Sequence, residues 1–352
     1  MCWAICGGKS NHLSFIARLF AVCVLLALPL LSAEAAATWH LTKVQMVSRD
    51  TGWALASTPR GSVLLRTAGG GTNWQNVSPQ GIWPLSSAQI ASNENFAIGF
   101  EGIDCYGLSG QVCWVAMISE LDQIIVERTH DGGRHWAKSE FTDHTGLYPL
   151  VSFLDRRRGW ILTISDMASG STRKELFETK DGGRTWATVT KKIPDHIDPH
   201  GLTFRSASVG WLAAGYHGSD QVPFYRTGDG GRHWNVQELD TAKIFKGEDG
   251  YGIVHSPSYF GPKHRDGLLP VQFRGIASPA GLYRTRDGGD TWRLTASLPM
   301  FGPIFGRADT IQFLSLKNGW LMENVGEPMS RLLRTQDGGR HWRVVYPKQR
   351  KQ

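Results

Sequence analysis

The chain has 352 residues, of which 41 are Gly and 14 are Trp, with 41% hydrophobic and 20% charged residues. This mixture excludes a disordered tail and a fibrous protein, and the length allows two ordinary domains or one large all-β domain. The net charge of +7 is too mild and too dispersed to indicate nucleic-acid binding. A chain rich in both Trp and Gly suggests a repeated local unit that uses both.

Residues 1–37 have the pattern of a secretory signal peptide. Basic residues lead into an apolar stretch over residues 19–31, which is too short to span a bilayer, and small residues that suit cleavage follow it. We therefore expect export, to the periplasm or the extracellular space, and a single domain over residues 38–352. An uncleaved membrane anchor is the alternative.

Two cysteines, Cys105 and Cys113, remain after removal of the signal. An even pair in an exported chain predicts a disulfide that closes the Gly-containing segment between them. Two free buried thiols are the alternative. A metal site is disfavoured because no second Cys or His pair with ligand spacing lies nearby.

Six segments, which we call boxes, share the pattern Arg-Thr-x-Asp-Gly-Gly-x-x-Trp with local departures. The boxes are residues 66–74, 128–136, 178–186, 226–234, 284–292 and 334–342. A Gly-Trp pair precedes four of them, with its Trp at Trp53, Trp160, Trp211 and Trp320, and the second and fifth units keep only relics near Phe96 and Phe273. Each unit predicts four short strands, and four strands at a period near 50 indicate a β-propeller blade.

The repeat predicts an all-β protein with six four-stranded antiparallel blades. Their expected bounds are residues 41–80, 85–141, 147–192, 200–240, 250–296 and 308–347. Seven blades are the alternative, because residues 38–42 resemble residues 291–295 and suggest that the N-terminus adds an outer strand to the closing blade.

The chemistry of the box indicates a structural role for the residues that recur in it. Two Gly after the Asp allow positive φ where the hairpin reverses, and the carboxylate accepts backbone N–H groups of its own turn. The Trp ring folds back over the hairpin. The structural residues are then Asp131, Asp181, Asp229, Asp287 and Asp337, with Trp74, Trp136, Trp186, Trp234, Trp292 and Trp342. Gly69 replaces the Asp in the first box, which should be the loosest turn.

These segments resemble Asp-box (BNR) repeats, and the Gly-Trp and Arg-Thr-x-Asp-Gly-Gly arrangement is most similar to the Ycf48-like group of propellers. Members of that group assist photosystem II assembly and have seven blades, so the resemblance implies a protein-binding propeller. Asp boxes also occur in sialidases, xyloglucan-cleaving glycosidases and sortilin-type receptors. The box therefore specifies an architecture rather than a reaction.

In a four-stranded blade the boxes share one face, and ligand loops are expected on the opposite face or at the central channel. The candidate loops are residues 101–121, 165–174, 195–200, 216–222 and 240–250. Candidate binding residues are Glu101 and Asp249 as carboxylates, Trp83 and Trp114 as aromatic surfaces, and Arg156, Arg157 and Arg158 as a cationic turn. Asp195, His196, Asp198 and His200 suggest either a metal or acid/base cluster or a solvated connection.

No catalytic motif is present: the chain has no G-x-S-x-G, P-loop, H-E-x-x-H or EF-hand pattern. We expect no cofactor and no metal. The leading hypothesis is an exported, non-enzymatic propeller that binds a protein partner, such as an assembly intermediate at the outer side of a membrane. The rival is a secreted glycoside hydrolase or carbohydrate-binding propeller, which needs two carboxylates facing each other across a cleft.

Overall fold

The structure, a computed structural model, describes residues 39–58, 61–79, 102–118, 123–142, 148–164, 173–190, 192–215, 222–241, 244, 250–274, 280–298, 311–324 and 330–347. The described elements belong to one compact unit that begins at Trp39. The expected signal segment lies outside the described residues. In the described ranges, no helix has the length and apolar character needed to cross a membrane.

The first three blades each contain four consecutive antiparallel strands. Blade one has β1 (His40–Met46), β2 (Gly52–Thr58), β3 (Gly61–Thr67) and β4 (Gln75–Asn76). Blade two has β5 (Ile103–Gly107), β6 (Cys113–Ile118), β7 (Gln123–Thr129) and β8 (Ala137–Thr142). Blade three has β9 (Tyr148–Phe153), β10 (Gly159–Ile164), β11 (Lys174–Thr179) and β12 (Ala187–Thr190).

The remaining three blades follow the same order, with one interruption. Blade four has β13 (Asp198–Phe204), β14 (Gly210–Gly215), β15 (Phe224–Thr227) and β16 (Asn235–Val236). Blade five divides its inner strand into β17 (Tyr251–Val254) and β18 (Ser258–Phe260), followed by β19 (Asp266–Arg274), β20 (Ala280–Thr285) and β21 (Arg293–Ser297). Blade six has β22 (Ile311–Phe313), β23 (Gly319–Asn324), β24 (Ser330–Thr335) and β25 (Arg343–Tyr346).

The prediction of an all-β, six-bladed propeller is confirmed. The N-terminal segment does not complete the closing blade: β1 is the inner strand of blade one, and blade six already ends in its own outer strand, β25. The first and last blades are joined by hydrogen bonds between Tyr346 and the backbone of Trp39, and from the Leu41 amide to Ser330 Oγ at 2.7 Å.

A residue equivalent to the Trp of the Gly-Trp pair is present in all six blades. In blades two and five it does not lie at the relics that the sequence analysis expected. In each blade the residue at this position pairs with the residue before the box Thr. Blade two uses Trp114, paired with Arg128, after Cys113 in place of Gly. Blade five uses Leu268, paired with Arg284, after Gly267. The expected relic at Phe96 lies outside the described residues, and Phe273 lies further along β19.

Two predictions about the start of blade two are wrong. Much of the expected loop over residues 101–121 is the hairpin of β5 and β6. The expected disulfide is absent, because Cys105 and Cys113 are free buried thiols. Cys105 pairs with Val115, whereas Cys113 pairs with Gly107, so the two cysteines are diagonal neighbours. Diagonal positions are separated by about 7–8 Å, which is longer than a disulfide bridges.

Neighbouring blades are held together by large side chains. The Trp114 ring of blade two stacks on Phe153 of blade three, with ring centroids 3.6 Å apart. Trp160 of blade three stacks on Phe204 of blade four at 3.7 Å, and Trp211 of blade four contacts Tyr259 of blade five at 5.1 Å. The Trp of one blade therefore packs on the end of the next blade's inner strand. Such aromatic pairs contribute both buried area and specific geometry.

A ring of hydrogen bonds joins the inner strands of all six blades. Each bond joins a side chain of one blade to the backbone of the next. The pairs in order are Gln45 with Gly107 (2.7 Å), Asp104 with Val151 (2.8 Å), Ser152 with Phe204 (3.2 Å), His200 with Val254 (2.7 Å), Ser258 with Phe313 (3.2 Å) and Gln312 with Met46 (2.8 Å). We call these six contacts the junction hydrogen bonds. They satisfy buried backbone groups and fix how adjacent blades meet.

Candidate interaction face and central channel

The carboxylate of each Asp-containing box is used within its own turn, as the sequence predicted. Asp181 accepts the backbone N–H groups of Arg184 at 2.9 Å and Thr185 at 3.0 Å, and the hydroxyl groups of Thr185 and Thr179. Although partial burial opposes it, this set of hydrogen bonds lowers the pKa of Asp181 to about 2. Both box glycines have positive φ, 80° at Gly182 and 85° at Gly183. A carboxylate held in this way is a poor general acid.

The boxes and the first turns of the blades lie on the same face. In every blade the amide of the first box Gly donates to a carbonyl of the turn between the first two strands. The bonds are Gly70 to Asp50, Gly132 to Gln111, Gly182 to Arg157, Gly230 to Ser208, Gly288 to Arg265 and Gly338 to Lys317, at 2.7–2.9 Å. We define the box face as these turns, residues 47–51, 108–112, 154–158, 205–209, 261–265 and 314–318, together with the six boxes.

The first box keeps the turn but lacks the carboxylate. Gly70 and Gly71 have φ of 66° and 89°, and Thr67 Oγ1 accepts the Gly71 amide at 3.2 Å. Gly69 is not in the left-handed region, and a Cβ there would meet the flexible end of Asn73. Gly69→Asp is therefore expected to stabilise the protein by about 0.5–1 kcal/mol, as added turn caps commonly do. Urea unfolding compares it with Gly69→Ala, and equal stability of the two variants would contradict a carboxylate effect.

The box face is strongly cationic. Its segments contain nineteen Arg and Lys against nine Asp and Glu, a net charge of +10, whereas the whole chain has +7. Five of the nine carboxylates belong to box Asp residues that accept hydrogen bonds within their own turns. The positive charge of the sequence is therefore concentrated in the segments of the box face, since all other residues together have a net charge of 7 − 10, or −3.

The three arginines predicted as a cationic turn lie at the edge of blade three on this face. Arg156 and Arg157 are exposed, and Arg158 forms an ion pair with Glu178 at 3.0 Å. The adjacent box of blade two adds His130, whose pKa is lowered by burial and then by Arg156, Arg128 and Arg184. The turn therefore belongs to a wider cluster of cations that spans blades two and three.

The Arg that precedes the box Thr lies beside the Trp of its own blade in three blades. Arg334 lies 4.9 Å from the centre of the Trp320 ring, and Arg66 and Arg226 lie about 6 Å from Trp53 and Trp211. Carboxylate pairing occurs in two blades, in Arg226 with Asp290 and in Arg284 with Asp266. In blades one, four and six, the recurring Arg thus lies over the recurring Trp.

A cavity of about 440 Å³ occupies the centre of the propeller and is lined by inner-strand residues of all six blades. Among the described residues that line it, Asp104 is the one carboxylate. Asp104 is 4% exposed, forms a 2.5 Å ion pair with Lys43 and accepts the Val151 amide. Both carboxylate oxygens are thus occupied. The cavity wall in the described part of the chain offers no second carboxylate for glycoside cleavage.

The predicted cluster of acidic and histidine residues lies in the connection into blade four and in its first strand, where its members have separate hydrogen-bond partners. Tyr148 donates to Asp198 at 2.7 Å, His196 contacts Tyr225 at 3.0 Å, and His200 contacts Val254 at 2.7 Å. Lys174 Nζ donates to the carbonyl groups of Pro194 and Asp195 in the same connection. The described residues contain no group of three or more ligands arranged for a metal ion.

Of the other candidate binding residues, Glu101, Asp249 and Trp83 lie outside the described residues, as do most of the predicted ligand loops. Trp114 is described and is 0% exposed, with its indole N–H donating to the Gly182 carbonyl at 2.9 Å. It is therefore a packing residue between blades and not a surface for a ligand. The register that identifies it as the blade-two equivalent of Trp53 was hidden because Cys113 replaces the usual Gly.

No protein-family model matches the chain, and no curated protein sequence is similar to it. Solved propeller structures are similar in fold. A lectin from Aleuria aurantia is 9% identical, with 87% of this chain and 94% of that chain covered at a TM-score of 0.55. YCF48 bound to a D1 peptide is 16% identical, covering 87% and 82% with a TM-score of 0.45. The GH74 xyloglucanase of Xanthomonas campestris is 15% identical, covering 87% and 45% with a TM-score of 0.48. At these identities the likeness concerns the propeller fold.

Proposed function

We propose that this chain is an exported, non-enzymatic β-propeller whose box face binds an acidic segment of a protein partner. The observation that carries the proposal is the concentration of nineteen cationic residues on one face, while the box carboxylates are turned into their own hairpins. A surface of this kind attracts acidic partners and raises their rate of association. Nucleic acid is not the proposed partner, because the charge of the chain as a whole is mild.

A role in holding an assembly intermediate at the outer side of a membrane follows from the resemblance to Ycf48-like propellers. Photosystem II assembly is one instance of such a role. A glycoside hydrolase or carbohydrate-binding propeller is the second candidate. Its chemistry needs paired carboxylates, and the described wall of the central cavity provides Asp104 alone, which is already bound by Lys43 and Val151.

Binding of a short Glu-rich peptide, measured by fluorescence anisotropy, tests the proposal. We expect the peptide to bind and its Gln-substituted counterpart not to bind, with affinity falling between about 50 mM and about 300 mM salt. The double variant Arg156→Ser/Arg157→Ser should weaken binding by about 3- to 10-fold, since each exposed charge contributes modestly. Arg293→Ser, on the exposed outer strand β21, is the matched control and should change little.

Equal binding of the Gln peptide, or an equal loss with Arg293→Ser, would contradict an acidic partner on the box face. Affinity purification of the mature protein identifies the natural partner. Turnover of a sialoside or a β-glucan by the purified protein, without capture of any protein partner, would support the carbohydrate-active alternative instead.

A further inference from the structure

The junction between blades four and five differs from the other five. At those five junctions, an oxygen of a Gln, Asp or Ser side chain accepts a backbone amide of the next blade. At the fourth junction the backbone partner is the Val254 carbonyl, so His200 Nε2 must carry the proton that it donates. The reversal occurs where the inner strand of blade five is interrupted between Val254 and Ser258.

A second histidine, His255, lies in this interruption. It is 1% exposed, and neither ring nitrogen has a hydrogen-bond partner. Its backbone amide donates to Pro270 of β19, and its ring centroid lies 6.4 Å from that of His200 on β13. Gln272 on β19 is also 1% exposed, and its side-chain oxygen has no partner. Unpaired polar groups in a dry site are costly, and this junction holds three such atoms, two on His255 and one on Gln272.

The buried site strongly favours the neutral imidazole. Burial, together with the smaller effect of the neighbouring His200, lowers the pKa of His255 to about 3. His200 is the titratable group that acts on His255 from the packed elements β13 and β19, and no carboxylate of the described chain compensates a charge there. A solvated histidine titrates near 6.5. The open form of the junction therefore binds one more proton than the closed form at pH values between about 6.5 and about 3.

We propose that the junction of blades four and five is a proton-sensitive seam. When His255 takes up a proton it leaves its buried site, the His200–Val254 hydrogen bond breaks, and the inner strands of these two blades separate while the other five junctions stay closed. The sign follows from the proton count: the closed form is fully favoured above about pH 6.5 and loses stability as the pH falls. The aromatic contact between Trp211 and Tyr259 crosses the same seam and opens with it.

Hydrogen exchange measured by mass spectrometry tests the proposal on the whole protein at pH 7.5 and pH 5, with rates corrected for the intrinsic effect of pH. Peptides from residues 251–272 should lose protection by about 30-fold at pH 5, the proton linkage expected for one histidine. Peptides from β9, at the junction of blades two and three, should not change. His255→Phe keeps a buried ring that takes up no proton, so it should remove the pH effect.

His255→Leu provides a second non-titrating variant should the Phe variant not fold. His200→Gln is the matched control, because its amide still donates to Val254 while His255 remains, and it should keep the pH effect. Unchanged protection of residues 251–272 at pH 5 would overturn the proposal. So would the same loss at all six junctions, or a pH effect that persists in both variants of His255.

Discussion

Replacing Asp104 with Ala should lower the free energy of unfolding by about 3–5 kcal/mol, the cost of leaving a buried charge without its partner. Asp104 is 4% exposed and binds Lys43 Nζ at 2.5 Å with one oxygen and the Val151 amide at 2.8 Å with the other. The variant removes one junction hydrogen bond and the carboxylate that binds the Lys43 ammonium group in the channel wall. Urea unfolding followed by tryptophan fluorescence measures the change.

Two comparisons separate the ion pair from general damage. The double variant Lys43→Met/Asp104→Ala should be more stable than Asp104→Ala, because it also removes the positive charge that Asp104 neutralises. Glu140→Ala breaks the exposed pair with Lys138 on β8 and should cost less than about 1 kcal/mol. If Asp104→Ala costs no more than Glu140→Ala, the buried pair does not hold blades one, two and three together.

The blade itself was predictable because the residues that form its box turn are close together in the sequence. The two glycines of each box have positive φ and the box Asp caps its own turn, so nine consecutive residues report the hairpin without knowledge of the rest of the fold. Six such hairpins at regular spacing give the blade count. The prediction of the Gly-Trp position was wrong in the two blades where the residue types of this pair change, at Cys113-Trp114 in blade two and at Gly267-Leu268 in blade five.

The contacts between blades were not predictable in the same way. Four of the junction hydrogen bonds use side chains that pair with the Gly-Trp position of the next strand, namely Gln45, Ser152, Ser258 and Gln312, whereas Asp104 and His200 lie elsewhere on their strands. Their residue types differ from blade to blade, because each position needs only a polar atom that reaches the next backbone. The concentration of cations on the box face was not predictable from the sequence either. Arg156, Lys180 and Arg265 are distant in sequence, and only the pairing of turns with boxes brings their segments to one face.

The cysteine pair shows why spacing alone misleads. Seven intervening residues with two glycines suit a closed loop, yet they belong to a hairpin. In it Cys105 pairs with Val115, so Cys113 lies two residues away from the position opposite Cys105. Burial raises the pKa of Cys105 to about 12, so its thiolate, the reactive form, is scarce at neutral pH. The pair therefore contributes to the core between blades one and two as small apolar side chains.

Replacing Trp114 with Ala should lower the free energy of unfolding by about 3–5 kcal/mol, as expected for a large aromatic side chain removed from a core. The ring stacks on Phe153 at 3.6 Å, and its N–H donates to the Gly182 carbonyl at 2.9 Å. One side chain thus joins β6 of blade two to both the inner strand and the box of blade three. Trp114→Phe keeps a smaller ring on Phe153 and loses the hydrogen bond, so it should cost less than Trp114→Ala, about 1–2 kcal/mol.

Binding distinguishes this packing role from the ligand role first considered for Trp114. Under conditions where the Trp114→Phe variant is folded, its affinity for the Glu-rich peptide should equal that of the wild type, because the indole is 0% exposed. Unfolding in urea and peptide anisotropy are measured on the same protein samples. A variant that keeps its stability but loses peptide binding would return Trp114 to the binding surface. The opposite pattern, lost stability with unchanged affinity, places it in the contact between blades and leaves binding to the exposed Arg156 and Arg157.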